Sequence, residues 1–115
     1  MREFEPPPFS IDVVQQGDRS FLNLSGELDL ATVAELEEAL TTRLAAEEHV
    51  VVDLRGLAFM DSSGVRALVT AHQSAKDNGR SLVIVRAPPG NEVDRVIDVS
   101  GIATALGMVD EPPAG

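Results

Sequence analysis

His49-Val50-Val51-Val52-Asp53-Leu54, followed a few residues later by Phe59-Met60-Asp61-Ser62-Ser63-Gly64, is the stretch that decides the fold. Its first part is apolar and rich in β-branched residues. It is too short for a helix and suits a central strand buried on both faces. A loop containing Arg55-Gly56 and Phe59-Met60-Asp61 follows, and an amphipathic helix starts near Ser62 or Ser63. Val65, Leu68, Val69, His72 and Ala75 mark the buried face of that helix. Asn78-Gly79 ends it, with Gly79 suited to a left-handed C-cap.

The same alternation extends in both directions. Downstream, Ser81-Leu82-Val83-Ile84-Val85 reads as another buried strand, and Pro88-Pro89-Gly90 turns the chain. Asn91 caps a third helix that carries Val93, Val96 and Ile97 inward and stops near Gly101; residues 102–108 leave room for a short helix. Upstream, Val33, Leu36, Leu40 and Leu44 fall on one helical face, with Glu35, Glu37, Glu38 and Arg43 towards water. Thr32 and Glu35 have the spacing of a capping box. Before that helix, Phe9, Ile11 and Val13 alternate with Ser10 and Asp12, and Phe21 to Ser25 form a second strand. The turn Gln15-Gln16-Gly17-Asp18 makes the two a hairpin, and Gly26-Glu27-Leu28-Asp29 breaks the strand pattern.

The order is therefore β-β-α-β-α-β-α. It predicts a single α/β domain with a mixed sheet of about four to five strands and packed helices. The hairpin is antiparallel, and the later strands run parallel through right-handed crossovers. Val52, Leu54, Leu68, Val69, Val83 and Val85 are expected in the core. A stiff Pro-rich lead-in occupies residues 1–8, the domain residues 9–110, and a flexible tail residues 111–115.

Composition removes several classes of function. The chain has 115 residues, and 9 Lys and Arg against 19 Asp and Glu give a net charge of −10. Such a surface does not suit phosphate backbones or anionic membranes, so neither nucleic acid nor membrane is an expected partner. Cys, Trp and Tyr are absent. That excludes disulfides, thiolate chemistry and Cys-based metal sites, and leaves little for base stacking. No apolar run approaches the ~20 residues of a membrane span, and the acidic, Pro-rich start has no signal-peptide character, so a cytoplasmic location is expected. His49 and His72 are the only histidines. No G-x-S-x-G elbow surrounds Ser62 or Ser63, and no Gly-rich phosphate loop is present. Neither metal nor cofactor is expected. Glu35, Glu37, Glu38, Glu47 and Glu48 read as solvated helix-surface charge.

One constellation remains. Asp61-Ser62-Ser63-Gly64 stands where a buried strand gives way to a helix. Asp and Ser are favoured there as N-caps, and one cap needs only one of them. Three in a row, followed by Gly, exceed that requirement. A helix start also stabilises anions, so a serine held there can carry a phosphate without unfolding the helix. The missing Cβ of Gly64 is expected to let another molecule approach the backbone.

Here the sequence resembles a family. Phe59-Met60-Asp61-Ser62-Ser63-Gly64 is similar to the phosphorylation motif of the STAS domain in bacterial anti-sigma factor antagonists, and Gly26-Glu27-Leu28-Asp29 to that family's second signature. Val50-Val51-Val52-Asp53-Leu54 matches its central strand, and Val96-Ile97-Asp98-Val99-Ser100-Gly101-Ile102 its last helix and following turn. Ala105-Leu106-Gly107-Met108 departs from the family, which often has an aromatic there. The resemblance implies a partner-switching phosphoprotein, not an enzyme. Its unphosphorylated form would bind an anti-sigma factor and release the sigma factor. That partner is also a serine kinase using its own ATP and Mg²⁺. It would phosphorylate Ser63, the second serine, and a phosphatase would reverse the step. Asp29, Asp61, Ser62 and Gly64 would flank the phosphosite or touch the partner. A monomer or weak dimer is expected. Rival readings are a STAS module of a stress-signalling or lipid-transport complex, a nucleotide-binding STAS protein, and a small hydrolase using Ser63.

Overall fold

The computed structural model describes residues 8–46 and 49–113. Most of the Pro-rich lead-in, Glu47, Glu48 and the last two tail residues lie outside them. Eight elements follow one another: β1 (Ser10–Gln16), β2 (Arg19–Leu28), α1 (Val33–Ala46), β3 (His49–Met60), α2 (Ser62–Asp77), β4 (Ser81–Val85), α3 (Glu92–Ser100) and α4 (Ile102–Ala105). The sheet order is β1-β2-β3-β4. β1 and β2 pair antiparallel, and β2-β3 and β3-β4 pair parallel. The α/β architecture expected from the sequence is present, with α4 as the short helix after Gly101.

The helices share one face of the sheet. Leu36 and Leu40 of α1, Leu68 and Ala71 of α2 and Ile97 of α3 form one core with Leu22, Val52 and Ile84 of the strands. Alternate residues point the other way, where Phe21, Val51 and Val85 make a smaller cluster flanked by Val14 and Val83. β3 lies inside the sheet and is buried on both faces from Val50 to Leu54. β4 lies at the sheet edge. Val83 is therefore only half-buried, not a core residue.

Other expectations need correction. β3 does not end at Leu54 but continues through the presumed loop to Met60, and β2 continues through Gly26 to Leu28. The two strands stay paired because their register shifts twice, between Asn23 and Ser25 and between Gly26 and Glu27. Each shift gives β3 one extra residue, as a bulge does. Val13 is exposed, because β1 is the other edge strand and its outer residues have no layer over them. Val69 is also 42% exposed. The buried face of α2 is formed by Leu68 together with Gly64, Ala67, Ala71 and Ala75, four small residues that let the helix lie close to the sheet and α1. Val69 sits about 20° around the helix from exposed Ser62, so it turns to water.

Candidate phosphosite at the start of α2

The site is built where β2 and β3 end. Leu28 and Met60 are register partners, and the Asp61 amide donates to the Leu28 carbonyl at 3.2 Å. Asp29 and Asp61 thus leave the sheet side by side. Asp61 has extended backbone angles and caps α2: its Oδ1 accepts from the Ser63 amide at 2.8 Å. That bond satisfies one of the orphan N–H groups of the first turn. The acidic residue is also favoured by the helix dipole. Ser62 is exposed and Ser63 half-buried. Neither hydroxyl takes part in a hydrogen bond among the described residues.

Gly64 faces inward. A Cβ built on it would stand 2.6 Å from Met60 Cγ and 2.9 Å from Leu28 Cδ2. The room left by its missing side chain is taken by the core, not left open for another molecule as the sequence suggested. Gly64 therefore sets how tightly the first turn of α2 seats on the ends of β2 and β3, and hence where Ser63 sits.

Asp29 belongs to a locked turn. Its Oδ1 accepts from the amides of Ala31 at 3.0 Å and Thr32 at 3.2 Å, and its carbonyl accepts from Val33 at 2.8 Å. The Thr32 hydroxyl turns back to β2, donating to the Glu27 carbonyl at 3.0 Å and accepting from the Asp29 amide at 3.0 Å. The predicted capping box of Thr32 and Glu35 is therefore absent: the Thr32 side chain is spent on the turn, and the Glu35 amide donates to the Thr32 carbonyl at 3.0 Å. The turn presents Leu30, which is 79% exposed. Sequence reasoning missed Leu30, since a single apolar residue in a loop has no periodicity to mark it.

Both histidines stand away from Ser63. His49 begins β3, roughly 30 Å or more from the strand end that bears the site. Its Nε2 lies 3.8 Å from the Asp18 carboxylate. His72 lies about 13 Å further along α2. Neither imidazole is within hydrogen-bond reach of Ser63, the pairing that a serine nucleophile activated by histidine requires. Among the described residues no group of His, Asp or Glu is arranged to hold a metal ion, and no helix is long and apolar enough to cross a membrane.

A family model described as "Mlab, STAS domain" matches residues 11–110. The chain belongs to the STAS domain family. Among curated relatives, an anti-sigma-B factor antagonist of Staphylococcus epidermidis is 30% identical over 94 residues, covering 81% of this chain and 85% of the relative. An anti-sigma F factor antagonist of Paenibacillus polymyxa is 31% identical over 93 residues, covering 77% and 76%. Among solved structures, an anti-sigma factor antagonist from Mycobacterium paratuberculosis superposes with a TM-score of 0.78 at 23% identity, over 90% of this chain and 87% of the other. Bacillus SpoIIAA in its phosphorylated form superposes with a TM-score of 0.67 at 22% identity, over 91% and 92%.

Proposed function

We propose that this STAS protein is an anti-sigma factor antagonist switched by phosphorylation of Ser63. Unphosphorylated, it binds an anti-sigma factor that is also a serine kinase and so frees the sigma factor. The kinase brings ATP and Mg²⁺ and transfers a phosphoryl group to the Ser63 hydroxyl, and a phosphatase removes it. The chain is substrate and binding module, not catalyst. The observation that carries the reading is the start of α2. Asp61 caps the helix through the Ser63 amide, while the half-buried Ser63 hydroxyl has no hydrogen-bond partner among the described residues. The names of the curated relatives support it, as does the phosphorylated form in which one fold relative was solved.

Electrostatics supply the switch. A phosphoserine adds ≈ −1.5 to −2 charges at neutral pH. It would join Asp61, and Asp29 on the neighbouring strand end, on a chain already at −10. A kinase active site also holds catalytic carboxylates. The product is thus repelled where the substrate was accepted. The test is incubation with candidate anti-sigma factors and ATP, followed by mapping of the modified residue. Phosphate on Ser63, abolished by Ser63→Ala and retained in Ser62→Ala, is the expected result. Phosphate on Ser62 alone reverses the assignment. Coprecipitation of a transporter subunit instead of a kinase favours the lipid-transport reading.

A further inference from the structure

We infer that Leu30 is an anchor which the anti-sigma factor seats in an apolar pocket beside its nucleotide site. The inference rests on the function proposed above and deepens it by naming a docking residue separate from the phosphosite.

Leu30 is 79% exposed, yet its backbone is held firmly. On its N-terminal side the Asp29 amide is tied to the Thr32 hydroxyl, and on its C-terminal side the amides of Ala31 and Thr32 are tied to the Asp29 carboxylate. The Thr32 hydroxyl then fastens this turn to β2 at the Glu27 carbonyl. An apolar side chain on a turn already in its bound shape loses little backbone entropy on docking, so more of the burial energy appears as affinity. The Asp29 and Thr32 side chains are positioning groups in this account, since Asp29 Oδ1 and the Thr32 hydroxyl are used within the turn.

The location ties Leu30 to one occupant. Leu28 and Met60 are paired, Asp61 bonds back to Leu28, and neighbouring strands lie about 4.8 Å apart. Leu30 is two residues beyond Leu28, and Ser63 three beyond Met60. A standard interface covers about 800 Å² per partner, a disc on the order of 16 Å in radius. A kinase centred on Ser63 therefore lies over the crest of the Asp29–Thr32 turn as well. Val99 provides the contrast. It is 84% exposed, but in the last turn of α3, outside the locked Asp29–Thr32 turn that leaves the end of β2 beside Asp61. Isolated exposed apolar residues are ordinary on protein surfaces. Rigid presentation next to the phosphosite is what separates Leu30 from Val99.

The test compares wild type, Leu30→Ser, Leu30→Met and Val99→Ser as full chains. Affinity for the anti-sigma factor, KM and kcat for Ser63 phosphorylation, and thermal midpoint are measured. Leu30→Ser should weaken affinity and raise KM by about tenfold, with kcat and midpoint unchanged, because it removes a docking contact and not a reacting group. Leu30→Met, apolar and of similar volume, should stay within about threefold of wild type. Val99→Ser should match wild type. Wild-type affinity and KM in Leu30→Ser, or an equal loss in Val99→Ser, overturns the anchor while phosphorylation of Ser63 still supports the function. If the wild-type chain neither binds nor accepts phosphate at Ser63, the function itself fails and the anchor falls with it.

Discussion

At the residue scale, the proposed phosphosite depends on two neighbours of Ser63 with different roles. Gly64 is a packing residue. In a helix, Gly→Ala ordinarily gains about 1 kcal/mol, but a Cβ here meets Met60 and Leu28 at under 3 Å. Overpacking of that kind costs about 1–3 kcal/mol. Gly64→Ala should therefore destabilise by up to about 2 kcal/mol net. It should also slow phosphorylation, because relieving the contact moves the turn that carries Ser63. Denaturant unfolding and phosphorylation rate together check this, and a stabilised variant would refute the packing account. Asp61 is a cap. Asp61→Ala should cost about 1 kcal/mol, whereas Asp61→Asn keeps an oxygen for the Ser63 amide and should cost much less. If the kinase needs the Asp61 charge and not merely the cap, Asp61→Asn will lose phosphorylation while keeping its midpoint; retained phosphorylation assigns Asp61 to capping alone.

At the scale of elements, the Arg86 side chain ties the end of β4 to α3. It donates to Asp94 at 2.6 Å and to Asp98 at 3.1 Å, and Asp94 also accepts from the Gly90 amide at 3.3 Å. The bond from Arg86 holds the Asp94 carboxyl below its usual range, against the opposing effect of burial, and the Gly90 amide adds to the lowering. The unfolded chain therefore takes up that proton first as pH falls. The contribution of Asp94 to stability is complete above about pH 4, the unfolded value, and is lost on acidification through its lower folded value. Thermal midpoints of wild type and Asp94→Asn should differ at neutral pH and converge below about pH 4. A constant gap would mean that Asp94 contributes by shape and not by charge.

The elements also show what was legible. The cap of α3 by Asn91, its end at Gly101 and the limits of β4 follow from local residue chemistry and stand where the sequence places them. The second half of β3 was not legible. After Leu54 its buried residues are Leu57 and Met60, a spacing of three that neither a strand's alternation nor a complete helical stripe explains. The two bulges against β2 cause it, and bulges arise from pairing with a distant segment. Gly26 belongs to the same irregular region. Its φ is +87° and its missing Cβ makes room for the backbone carbonyl of Pro8, a contact that local sequence does not reveal. Val69 was misplaced for a related reason: periodicity favours the larger apolar residue, while close packing on the sheet and α1 selects Gly64, Ala67 and Ala71. At the site, Asp61 and the two serines were marked by capping chemistry, but the use of Thr32 in the Asp29 turn depended on where β2 delivers the chain.

For the whole molecule, the decisive question is whether a charge on Ser63 acts on the fold or on the interface. The fold should tolerate it. Negative charge at a helix start is favoured by about 0.3–1 kcal/mol at exposed sites. Asp61 already uses the Ser63 amide, and like charge between the two groups opposes that gain. The net change in stability for Ser63→Asp or the phosphoprotein should thus remain within about 1 kcal/mol. The interface should not tolerate it. On a chain of net charge −10, a new anion beside Asp61 must be desolvated or face the carboxylates of the proposed kinase, and like-charge juxtaposition at an interface costs several kcal/mol. Ser63→Asp, with about one charge and two oxygens, should lose at least about tenfold in affinity, and phosphoserine, with nearly two charges and three acceptor oxygens, should lose more. Circular dichroism and thermal midpoint read the first effect, and titration with the anti-sigma factor reads the second. Raised ionic strength should recover part of the affinity if repulsion at the rim dominates, because exposed charges are screened beyond about 10 Å at 0.1 M salt. Wild-type affinity in the phosphoprotein would end the switch mechanism, and loss of the fold would move its cause from the interface to the helix.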